Sequence, residues 1–238
     1  MLDYPNTIKV GKNSMKVNYK KVKGLSSSVR INKAQVQVSL SKFLIGKRRD
    51  KTIEKFLKWA EKRLSKVSDN TVLTPVYKDA GKIITHNKVY ELNVFYYNKD
   101  RCRSILKDGG VIELFLPVDA KNHKLQELVE KIIIKDQTEY LKNVVDELNQ
   151  LYFQEKYGHV RFKRISSRFG SCSSKRNINI AFRLLFAPKE VFRYVCLHEL
   201  AHLKEFNHSK RFWQIVEDAM PEYKECEKWL RENGFLLG

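Results

Sequence analysis

The stretch HELAHLKEFNH, residues 198–208, sets the tightest limits on how this chain folds, because it puts three of the six histidines within eleven residues and a glutamate directly after the first of them. Val191, Phe192, Val195, Cys196, Leu197, Leu200 and Leu203 make the surrounding helix apolar on nearly every side, the pattern of a helix buried in a core. Buried imidazoles and a buried carboxylate need partners. Residues four apart on an α-helix differ by roughly 40° in direction, so His198 and His202 share a face and reach one ion. Glu199 stands on the edge of that face. In this H-E-x-x-H arrangement two neutral imidazoles bind Zn²⁺, and the carboxylate takes a proton from the bound water, whose pKa the ion lowers to roughly 7.

A catalytic zinc takes a third protein ligand and keeps a fourth position open. His208 is the candidate, at the distance from His202 found in the HExxHxxGxxH metalloproteases. On an unbroken helix six residues advance the direction by about 600°, turning His208 roughly 120° away from His202. The helix must therefore end between them, and Asn207, which tolerates left-handed backbone, is the expected turning point. Glu217 and Glu222 are the acidic substitutes should His208 not ligate. The set predicts one Zn²⁺ per chain, although imidazoles also accept Fe²⁺, Mn²⁺ and Ni²⁺.

The flanking segments predict a mixed architecture. HVRFKRI (159–165) and NINIAFRLLF (177–186) read as strands around the loop SSRFGSCSSKR. Pro188 suits the start of the histidine helix and Ser209 the cap of the next. KRFWQIVEDAM and EYKECEKWLRENG continue as helices, with Gly234 as a stop. Upstream, MKVNYKKV (15–22) and AQVQVSL (34–40) alternate as strands do. A helix from an Asp50 cap through Val67 follows, ended by SDNT (68–71). KVYELNVFYY and SILKDGGVIELFLP read as successive antiparallel strands. A helical rhythm then runs from Leu125 to Leu151, interrupted at Asp136 and Gln137 and closed at Gly158. The fold class is α+β, with a basic β-rich lobe over residues 1–120 and the metal-binding domain over 121–238.

Charge and cysteines narrow the surroundings. With 46 Lys and Arg against 27 Asp and Glu, a formal +19, the surface attracts polyanions, so nucleic acid or nucleotides are expected neighbours alongside a protein or peptide substrate. Cys102, Cys172, Cys196 and Cys226 lie far apart with no CxxC pair and read as reduced thiols. The N-terminus lacks the apolar core of a signal peptide, and no apolar run approaches the roughly 20 residues that span a bilayer, so the expected compartment is the cytoplasm, without membrane association.

Residues 165–230 resemble the YgjP-like metallopeptidase family, related to the SprT-like and WLM zinc peptidases. The resemblance rests on Gly170-Ser171-Cys172-Ser173, Ala187-Pro188, Tyr194-Val195, the HELAH run, Asn207-His208-Ser209 and Phe212-Trp213. Phe169 stands where the family usually has tryptophan. The resemblance implies a zincin-like core with His198, His202 and His208 as ligands and Glu199 as catalytic base. In zincins a strand beside the metal helix holds an extended peptide by main-chain pairing, and NINIAFRLLF is the expected strand. The first reading is therefore a zinc peptidase. A nucleotide pyrophosphatase is the second, because the same chemistry cleaves phosphoanhydrides. The third is a nucleic-acid or ribosome binding module with a structural zinc, against which stand the open coordination position and Glu199.

Overall fold

A computed structural model describes residues 4–10, 13–31, 35–65, 77–98 and 100–237. The chain forms two compact units. The first comprises Met1–Val72 with Glu232–Leu236, the second Leu73–Arg231 with Leu237.

In the first unit, β1 (Thr7–Val10), β2 (Asn13–Val22), β3 (Ser28–Ile31) and β4 (Gln35–Ser41) form a sheet of order β1-β2-β4-β3. β2 and β4 run parallel, and both outer strands are antiparallel to their neighbours. The alternation read in MKVNYKKV and AQVQVSL has its physical cause here. Ile8, Val17, Val36, Val38 and Leu40 turn to one face and are covered by α1 (Gly46–Leu64) through Ile53, Leu57, Ala60 and Leu64. The helix begins a turn earlier than an Asp50 cap predicts. Asp50 instead accepts a hydrogen bond from the Tyr4 hydroxyl. Val67 and the SDNT stretch lie outside the described residues.

The second unit opens with β5 (Gly81–Ile84), β6 (Val89–Tyr97), β7 (Arg103–Leu106) and β8 (Val111–Pro117), in the order β5-β6-β8-β7. The Gly109-Gly110 turn joins β7 to β8 antiparallel as expected, but β8 lies parallel to β6. The strands are therefore not a simple meander. The long helix α2 (Asn122–Leu148) is continuous through Asp136 and Gln137. Those two polar residues face the β5–β6 turn, where Asn87 Nδ2 donates to Gln137 Oε1 at 2.8 Å and Lys88 Nζ to Asp136 Oδ2 at 2.8 Å. The helix ends before Gly158, in a wide turn over residues 149–153 closed by Gln154 in left-handed conformation.

No boundary falls at residue 120. Ile112, Leu114 and Leu116 of β8 share one core with Leu125, Val129 and Ile133 of α2, and dividing the chain there would expose that core to water. A second sheet of order β10-β11-β9 follows, made of β9 (Val160–Lys163), β10 (Gly170–Cys172) and β11 (Ile178–Ala181). α3 (Lys189–Ala201), α4 (Lys210–Ala219) and α5 (Tyr223–Asn233) complete the unit. The α+β class read from the sequence is the class of the structure. No helix among the described residues is long and apolar enough to cross a membrane.

Candidate metal centre

Pro188 precedes the first turn of α3, where its missing N–H costs nothing. The helix is buried on almost every side, as its composition requires, and packs against β10, β11, α2 and α4. It ends at Ala201, with His202 at its cap. The chain then tightens, Leu203 N bonding to Leu200 O at 2.9 Å and Lys204 N to Ala201 O at 3.0 Å, before Ser209 caps α4 by accepting from Phe212 N. Asn207 is not left-handed; the non-glycine residues with positive φ among those described are Ala80, Gln154 and Arg176. A tightened helix end reverses the chain, so the expected turning residue is not needed.

The reversal brings His208 back to the helix. His198, His202 and His208 each present a ring nitrogen, all within 4.8 Å of one another, and no other acidic, cysteine or histidine side chain joins a comparable cluster among the described residues. Nε2 of His208 and Nε2 of His198 are 3.0 Å apart. Imidazole nitrogens bound 2.0–2.1 Å from one tetrahedral ion stand about 3.3 Å apart, so the cluster has the dimensions of a single site. Glu217 faces Lys224 at 3.1 Å and stays outside the cluster.

The donor chemistry fits a divalent cation. Burial pushes the His198 pKa down to about 3, with the neighbouring His202 and His208 adding to it, so the ring is neutral and offers a lone pair. His202 is lowered too, chiefly by burial. Its Nδ1 lies 3.1 Å from the Glu205 carbonyl, and with Nδ1–H donating there the Nε2 lone pair is left for a metal. The buried Phe212 ring lies beneath all three imidazoles, at 4.9, 4.6 and 4.7 Å between centroids. Trp213 stacks on Tyr223 at 5.6 Å. Trp213 also lies 5.9 Å from the His198 ring and 5.7 Å from that of His208, so both aromatics pack against the cluster. Three protein donors leave a coordination position open, which argues against a closed structural site.

Glu199 is only 5% exposed. Burial raises its pKa to about 8, against the lowering effects of the Cys172 backbone N–H and of Arg168. Both of those groups come from the 166–176 loop, whose residues show no strand periodicity. Three residues of it form β10. Ala181 N bonds to Phe169 O, and Ser173 N to Asn177 O. Since main-chain groups alternate along a strand, those of Gly170 and Cys172 face away from β11, and the Cys172 N–H meets Glu199. Arg183 fixes the loop, its Nη2 donating to Ser166 O at 3.1 Å and Arg168 O at 3.3 Å while its guanidinium lies 4.4 Å over the Phe169 ring. Burial raises the Cys172 thiol to about 11, so it is a packed thiol and not a ready nucleophile.

NINIAFRLLF is not a substrate-holding edge. Its β part, β11, is the middle strand with both edges paired, and residues 182–186 form a tight helical turn. The free edge nearest Glu199 belongs to β10.

Three clustered imidazoles on and beside a buried helix, with a carboxylate next to them and a sheet edge alongside, define a metal-dependent hydrolase. The chain belongs to the YgjP-like family, whose metallopeptidase domain matches residues 26–233. Over 69 residues it is 35% identical to the UTP pyrophosphatase of Escherichia coli (strain K12), a match that spans 29% of this chain and 40% of that protein. Among solved structures it is similar to the metallopeptidase zymogen of Pyrococcus abyssi abylysin, at 25% identity and a TM-score of 0.36 over 38% of this chain and 90% of that one. It is also similar to the zymogen of Methanocaldococcus jannaschii jannalysin, at 23% identity and a TM-score of 0.34 over 39% and 94%.

Proposed function

We propose that this protein is a zinc-dependent peptidase in which His198, His202 and His208 hold the ion and Glu199 is the general base. The observation that carries this reading is the position of Glu199, a buried carboxylate that directly follows His198 of the imidazole cluster and lies against Gly170 of β10. Zinc bound there supplies a Lewis acid that polarises a carbonyl and acidifies water. Glu199 takes the proton of the attacking water and returns it to the leaving amine, a task suited to a carboxyl whose burial lifts its pKa toward neutrality. With the Cys172 N–H held by Glu199, the main-chain groups of Gly170 and the Cys172 carbonyl remain for an extended substrate to pair with. Phe212 keeps water away from the underside of the imidazoles.

A second reading is hydrolysis of a nucleoside triphosphate. It is supported by the Arg168 guanidinium, close enough to Glu199 to act on it and without an ion-pair partner among the described residues, and by the partial likeness to a UTP pyrophosphatase. Zinc-loaded protein incubated in parallel with unfolded proteins, a quenched peptide library and the four nucleoside triphosphates separates the two. Chelator-sensitive peptide cleavage is the expected outcome. Pyrophosphate release with intact peptides would replace the first reading by the second.

A further inference from the structure

The positive charge is unevenly spread. Residues 1–72 hold 18 Lys and Arg against 5 Asp and Glu, so under a third of the chain carries +13 of the formal +19. Within the first unit the sheet has one face on α1 and one face away from it. Strand register assigns the second face. Thr7, Lys16 and Gln35 form one rung across β1, β2 and β4; Asn18, Gln37 and Arg30 form the next across β2, β4 and β3; Lys20, Ser39 and Ser28 form a third. Lys16, Lys20 and Arg30 are exposed. Between them the amides are ordered: Asn18 donates to Gln35 Oε1, and Gln37 Nε2 donates to the Asn18 carbonyl at 3.2 Å. These rungs contain no carboxylate and no aromatic ring.

We infer that this face binds double-helical RNA. Three cations with no ion-pair partner among the described residues suit the phosphates. Single-stranded nucleic acid is gripped by stacking unstacked bases on aromatic rings, which this face lacks. An A-form duplex instead presents a wide, shallow minor groove lined with 2′-hydroxyls, each both donor and acceptor. A broad sheet face carrying amides and hydroxyls between cations matches that surface in shape and in chemistry. B-form DNA has a narrow minor groove and no 2′-hydroxyl. The hydrolytic residues take no part in this binding.

The test uses the full chain and three fluorescent probes of equal length, an RNA duplex, the same sequence as DNA duplex, and one RNA strand alone, titrated between about 50 and 200 mM salt. The RNA duplex should bind at least roughly tenfold more tightly than either other probe, with log affinity falling linearly in log salt. The triple variant Lys16→Gln, Lys20→Gln, Arg30→Gln should lose at least about tenfold in affinity and flatten the salt slope by about 3. A control of equal charge change on α1, Lys51→Gln, Lys55→Gln, Lys58→Gln, should lose no more than about threefold. All six positions are exposed, and circular dichroism melts verify that both variants fold. Equal affinity for the three probes, or equal losses in the two variants, would overturn the assignment. So would no binding at the lowest salt.

Discussion

The α-carbon of Gly170 lies directly against the carboxylate of Glu199: a methyl group there would stand 2.4 Å from Oε1, 2.7 Å from Cγ and 2.8 Å from Cδ. Only glycine lets β10 approach this closely, and a Glu199 side chain so deeply buried has little room to withdraw. Gly170→Ala should therefore move the proposed base without touching a proposed ligand. Zinc content should remain that of wild type, while kcat falls by roughly a hundredfold, the scale of a 1 Å misplacement. Elemental analysis and turnover on the panel's cleaved substrate check this. Full activity would mean that Glu199 is not held by this contact.

Glu199→Gln separates the proposed base from the proposed ligands. The amide keeps the shape and can still accept the Cys172 N–H, but it cannot take up a proton. Expected are wild-type zinc content, an unchanged fold, and turnover lowered at least roughly a hundredfold. Substrate should still bind, so crosslinking this variant in cells captures the species that distinguishes peptide from nucleotide. Near-normal zinc-dependent turnover would sink the mechanism.

The three-histidine cluster predicts linkage between metal and stability. Zinc at about 100 times its Kd should stabilise the wild type by roughly 2.7 kcal/mol, and chelation should remove that gain. Alanine at His198, His202 or His208 should weaken zinc binding by more than about a hundredfold and abolish the shift at the same zinc concentration. Calorimetry with and without zinc measures both. A full thermal shift in His208→Ala would exclude it as a ligand.

Much of this site is legible in the sequence because the signal is local. The four-residue spacing fixes which imidazoles share a helix face, and Pro188 and Ser209 mark where helices begin. What could not be read depends on distant segments. Gly170 and Cys172 reach Glu199 only because β10 pairs with β11, and three residues of strand inside a serine-rich loop carry no periodicity. The family resemblance offers NINIAFRLLF as the strand that pairs with a peptide, yet an apolar run is equally the mark of a central strand buried on both faces. The parallel pairing of β6 with β8 is likewise invisible in alternation, which sets the faces of a strand and not its neighbour. Asp136 and Gln137 interrupted the helical rhythm because they answer the β5–β6 turn, a contact about fifty residues away in sequence.

That contact gives the last prediction. Burial acts to raise the Asp136 pKa, but hydrogen bonds from Lys88 and Tyr90, with the Lys88 charge, outweigh it and hold the carboxyl below its usual range. A depressed folded pKa contributes stability that is fully present above the unfolded value of about 3.9 and is lost as pH falls through the folded value. Asp136→Asn should therefore be less stable than wild type near neutral pH, by about 1 kcal/mol once solvent screening at this partly exposed pair is allowed for. The difference should shrink as pH drops below about 4 and disappear once the wild-type carboxyl is protonated. Urea unfolding of both proteins at closely spaced pH values between about 2 and 7 measures it. A stability gap that stays constant across that range would show that the variant acts through packing and not through the charge of Asp136.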